Sequence, residues 1–64
     1  MIEKIYYLDW NNKKKDIQEV LLDLFVTIPC FIQKEYIEMN YVKVTIKCRE
    51  EDVRTVEQFI ADLV

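Results

Sequence analysis

"CFIQKEYIEMNYVKVTIKC" occupies residues 30–48, with a cysteine at each end, and its pairing decides the fold. In "YVKVTIKC" (41–48) the even positions Val42, Val44, Ile46 and Cys48 are apolar, alternating with Lys43, Thr45 and Lys47. Successive side chains of a strand point to opposite faces, so a period of two marks a strand with one buried face. Residues 30–39 carry apolar side chains at both parities, and only the register of pairing can choose their inner face. A two-residue turn at Met39-Asn40 would set Gln33 and Glu35 among the valines. A three-residue loop, Glu38-Met39-Asn40, instead pairs Ile37 with Tyr41, Tyr36 with Val42, Ile32 with Ile46 and Cys30 with Cys48. It also sets Glu35 across from Lys43 on the outer face, a favourable opposite-charge pair. Such loops end on a left-handed residue, and Asn tolerates that conformation best after glycine. The three-residue loop is therefore expected, with Lys34 on the inner face, snorkelling or near the sheet edge. Cys30 and Cys48 then become neighbours in the core, acting as small hydrophobes rather than as a disulfide or half a metal site.

Outward from the hairpin, "IEKIYYLDW" (2–10) is rich in β-branched and aromatic residues and reads as a strand. Its even positions Ile2, Tyr6, Leu8 and Trp10 are apolar, with Lys4 the exception; Ile5 and Tyr7 make the second face half apolar. After the polar break "NNKKKD", Ile17, Val20, Leu21, Leu24 and Ile28 fall on one helical stripe, which Leu22, Phe25 and Val26 widen. Asp16 with Glu19 would make a capping box, and Asn12 is a competing N-cap. Pro29 ends this helix by biasing Ile28 away from helical geometry. The last segment puts Val53, Val56, Ile60 and Leu63 on a second stripe, with Glu50, Glu51 and Asp52 in its first turn, where the helix dipole favours them.

The expected order is β-α-β-β-α, an α+β domain over residues 1–64. Crossover rules and the hairpin give a three-stranded antiparallel sheet, order 1-3-2, with both helices on one face. In element order this resembles a ferredoxin-like fold that stops before its fourth strand. The resemblance implies that strand 1 is an exposed edge, since the missing strand would lie beside it, and bare edges tend to pair.

Composition narrows function. At 64 residues the chain forms one domain whose core is small, yet 52% of its residues are apolar. Some of that surplus is expected to meet a partner rather than water. A net charge of −3 argues against a general nucleic-acid binder. The chain contains no Gly, no Ser and no His. Phosphate-cradling glycine loops, a Ser–His–Asp triad and a His-ligated metal site are thereby excluded. Neither an enzyme nor a cofactor is expected. No segment has the length of a membrane span or the layout of a signal peptide, so a cytoplasmic protein with reduced thiols is expected.

Two surfaces are candidates for function. One is the outer sheet face, carrying Ile5, Tyr7, Phe31, Ile37 and Tyr41 within a rim of Glu3, Glu35, Lys43 and Lys47. An apolar patch with a polar rim is the usual form of an interface. The other is Lys13, Lys14 and Lys15, a basic cluster near a helix start that could bind an anion; removing its charges would take the net charge from −3 to −6. The expected role is an intracellular protein–protein interaction or regulatory module acting by binding. A homodimer is expected, face to face or through strand 1 edges, with an unidentified second protein as the other candidate partner. The alternative is a ligand-sensing regulatory module with its site at the loop between strand 1 and helix 1. That alternative is similar to amino-acid-binding ferredoxin-like domains, a resemblance that implies a glycine-containing loop there, and this chain has no glycine.

Overall fold

The computed structural model describes residues 1–11 and 16–63. Their order is β1 (Ile2–Asp9), α1 (Ile17–Thr27), β2 (Cys30–Glu38), β3 (Tyr41–Cys48) and α2 (Val53–Ala61), the last entered through a 3-10 turn at Glu50–Asp52. The three strands form one sheet, β1-β3-β2, with β3 antiparallel to both neighbours. It is an α+β architecture.

The inner face is the even-numbered one. Ile2, Lys4, Tyr6 and Leu8 of β1 lie opposite Cys48, Ile46, Val44 and Val42 of β3. Across β3, Cys30, Ile32, Lys34 and Tyr36 face Cys48, Ile46, Val44 and Val42. All four of those β3 residues are fully buried. They share one apolar cluster with Ile17, Val20, Leu21 and Leu24 of α1 and with Val56 and Ile60 of α2. Among the described residues no polar or charged residue is buried as a whole.

The register of β2 against β3 is the expected one from Cys30 to Tyr36, but the turn differs. Glu38, not Ile37, pairs with Tyr41, leaving Met39-Asn40 as a two-residue turn and Ile37 as a bulge. The physical reason lies in two demands that conflict. The tip closes on two residues, whose register continued down the strand would set Gln33 opposite Ile46 and Glu35 opposite Val44. Burying those polar groups without partners costs about 1–3 kcal/mol each. One extra residue in β2 restores the apolar phase, and bulges commonly make this kind of correction. The expected left-handed Asn40 is not found either: no described residue has a positive φ.

Both helix boundaries of α1 have local causes. The Asp16 carboxylate accepts from the Gln18 N–H at 2.9 Å, so Asp16 is the N-cap as expected, with the bond going to Gln18 rather than to the Glu19 of the expected capping box. Ile28, just before Pro29, is extended at φ −133 and ψ 154 while its N–H still donates to the Leu24 carbonyl at 3.1 Å. Entry to α2 is organised by Arg49, whose Nε donates to Asp52 Oδ2 at 2.8 Å. Asn12, the competing cap, lies outside the described residues.

Candidate interaction surfaces

The odd-numbered residues face away from the helices. Ladder pairing arranges them in four rows, the bulge at Ile37 bringing the even-numbered Glu38 into the last: Phe31–Lys47–Glu3, Gln33–Thr45–Ile5, Glu35–Lys43–Tyr7 and Glu38–Tyr41–Asp9. Each row mixes polar and apolar side chains, so this face is not one continuous patch. Ile5 and Tyr7 lie two residues apart on β1, and Tyr41 is the diagonal neighbour of Tyr7. These three form one apolar group at the β1 side, each 46–64% exposed. Phe31 stands at the opposite corner, separated from them by Thr45, Gln33 and the Glu35–Lys43 pair. Ile37 sits at the bulge, 47% exposed. Lys13, Lys14 and Lys15, with the loop between β1 and α1, lie outside the described residues.

Phe31 belongs instead to a second surface that the helical pattern concealed. Leu22, Phe25 and Val26 were expected to widen the buried stripe of α1, yet all three are exposed, Val26 at 74%. A helix has room for only one stripe against a sheet, and Ile17, Val20, Leu21 and Leu24 occupy it. Phe25 lines a groove of about 450 Å³ with Met1, Phe31, Ile32 and Gln33, and with Thr45 and Lys47 of β3. The spacing 22, 25, 26 is the signal that could have found it, since three apolar residues at i, i+3 and i+4 make a docking stripe.

Two inner-face features define the limits of chemistry here. Cys30 and Cys48 are cross-strand partners, both buried and unbridged. Burial raises the Cys30 thiol above its ordinary value, with Cys48 and Asp52 adding to the effect, so thiolate is disfavoured. Tyr6 Oη, on the inner face of β1, is sealed from solvent without a hydrogen-bond partner. Its pKa is likewise raised, first by desolvation and then by the charges of Glu57 and Cys48. At the hairpin tip Trp10 meets Tyr36 edge-on, ring centroids 5.2 Å apart, in a pairing that closes that end of the inner face.

Among the described residues there is no group of three or more His, Cys, Asp or Glu placed to hold a metal ion. Nor is any described helix long and apolar enough to cross a membrane. Compared with known proteins, the chain matches no family model, no curated protein and no solved structure.

Proposed function

We propose that this chain is a small protein–protein interaction or regulatory module that acts by binding rather than by catalysis, and that it self-associates as a homodimer. The observation that carries the reading is the exposure of large apolar side chains in two groups, Ile5, Tyr7 and Tyr41 on the sheet and Leu22 and Phe25 of α1 with Phe31 of β2. Apolar groups of this kind with charged neighbours are the composition of binding surfaces. A core this small also gains from further burial, because a short chain removes less of its surface from water than a long one. The element order and the β1-β3-β2 sheet support a ferredoxin-like domain without its fourth strand. A cytoplasmic setting is part of the proposal, and it would keep the facing Cys30 and Cys48 thiols reduced.

Light scattering at micromolar concentration tests this reading. The expected mass is twice the 7.8 kDa of one chain, with a melting temperature that rises with protein concentration. Tyr7→Glu should weaken the dimer, whereas Asp23→Ala, on the exposed side of α1, should leave it intact. A single-chain mass across that range, with a melting temperature independent of concentration, refutes it.

A further inference from the structure

We infer that β1 is the dimerisation strand, pairing antiparallel with β1 of a second copy in a register centred on Ile5. Two three-stranded sheets thereby join into one of six strands. The inference rests on the self-association proposed above and adds its geometry.

The free edge can be read from the ladder. The Trp10 N–H donates to the Asn40 carbonyl at 2.6 Å, and this pair continues the register that runs from Ile2–Cys48 to Asp9–Tyr41. Hydrogen-bonded and non-hydrogen-bonded pairs alternate along an antiparallel ladder. The even-numbered residues of β1 therefore use their N–H and C=O groups on β3. Glu3, Ile5, Tyr7 and Asp9 direct theirs out of the sheet, from a strand with no register shift. The β2 edge is different. It carries a bulge at Ile37 and the exposed pair Lys34-Glu35 at mid-strand, and bulges and edge lysines both discourage pairing. On β1 the one lysine, Lys4, is instead held by Glu57 of α2 at 3.5 Å.

Charge then selects the register. A twofold axis normal to the sheet keeps the helices of both copies on the same side and pairs residues of like parity. Centred on Tyr6, the strands would set Glu3 against Asp9 of the second copy, twice over. Centred on Lys4, they would set two lysines face to face. Centred on Tyr7, they would put each Ile5 opposite an aspartate. Centred on Ile5, the pairs are Ile5–Ile5, Glu3–Tyr7, Ile2–Leu8 and Lys4–Tyr6, and no like charges meet. Like charges directly opposite destabilise a strand pair, while aliphatic and aromatic pairs stabilise it. The outward groups of Glu3, Ile5 and Tyr7 would form about six hydrogen bonds between the copies. Ile5 and Tyr7 of both copies also come together on one continuous open face.

Cysteine cross-linking tests the register directly, since the native Cys30 and Cys48 are buried. The two Ile5 Cα atoms would lie about 5.5 Å apart, within reach of a disulfide. The two Tyr7 residues would be displaced by four positions, about 13 Å along the strand. Under mild oxidation Ile5→Cys should form a linked dimer at least about tenfold faster than Tyr7→Cys. Ile5→Lys should be a folded monomer by circular dichroism and light scattering, because it places two lysines against each other at the axis. Should Ile5→Lys fail to fold, the cross-linking comparison decides alone. A dimer that links no faster through Ile5→Cys than through Tyr7→Cys, or that survives Ile5→Lys, overturns the β1 geometry while leaving self-association standing. A monomeric parent chain overturns both.

Discussion

Ile46→Ala is the sharpest probe of the packing. Ile46 is fully buried at the centre of β3, with Lys4 and Ile32 as its cross-strand partners. The substitution removes three carbons, and at about 0.8 kcal/mol per methylene the transfer loss alone is about 2.4 kcal/mol. An unrelaxed cavity raises the cost toward about 4–5 kcal/mol. The sheet gives little room for relaxation, because Val44 and Cys48 flank the site on the same face and are themselves fully buried. At roughly 0.05–0.15 kcal/mol per residue a chain of this length has about 3–10 kcal/mol in all, so the loss is a large fraction of the total and should be plain in the unfolding midpoint. Thr45→Ala, one residue away on the opposite face, should cost under about 1 kcal/mol. Urea titration followed by far-ultraviolet circular dichroism measures both, at one protein concentration so that association does not shift the comparison. If Ile46→Ala costs no more than Thr45→Ala, the assignment of even-numbered residues to the core is refuted.

Tyr6→Phe should be neutral or stabilising by up to about 1–2 kcal/mol, since it deletes a buried hydroxyl that has no partner; a loss above about 1 kcal/mol in the same titration would mean that the hydroxyl is bonded. Alkaline pH supplies a linked test: the Tyr6 and Cys30 pKa values are raised above their ordinary 10.0 and 9.0, so both groups hold their protons more tightly when folded. Their contribution to stability is complete below those ordinary values and is lost as pH rises through the folded ones, so melting temperature should fall above about pH 9, less steeply in Tyr6→Phe. The two buried thiols should resist alkylation in native protein and take up two labels on unfolding, read by mass spectrometry; native protein two hydrogens lighter would instead reveal a disulfide.

Much of the sheet was legible in the residues because strand alternation is strict. Val42, Val44, Ile46 and Cys48 could face only one way, and the polarity of Gln33 and Glu35 excluded one of the two phases for β2. That is why the Cys30–Cys48, Ile32–Ile46 and Glu35–Lys43 pairs were predictable without coordinates. The helix ends were legible for a similar reason: Asp16 and Pro29 act on their immediate neighbours, and no distant contact is needed to explain them. Turn chemistry was harder to read. Residue identities alone could not distinguish a three-residue loop from a two-residue turn with a bulge at Ile37, since both deliver β2 in the same phase.

What only the tertiary structure decided is which apolar residues remain outside. The sequence by itself determined how many there are, and periodicity assigned Leu22, Phe25 and Val26 to the same broad stripe as Leu21 and Leu24. A helix on a sheet can bury only the arc that its neighbours subtend, and the position of α1 against β2 and α2 gave that arc to Leu21 and Leu24. Likewise, alternation together with the register of the hairpin assigned five apolar residues of odd number to the open face. Their division into an Ile5–Tyr7–Tyr41 group and a separate Phe31 depends on which strands are neighbours. That is set by β3 lying between β1 and β2, a long-range choice that burial of the even-numbered face stabilises and that no local stretch encodes.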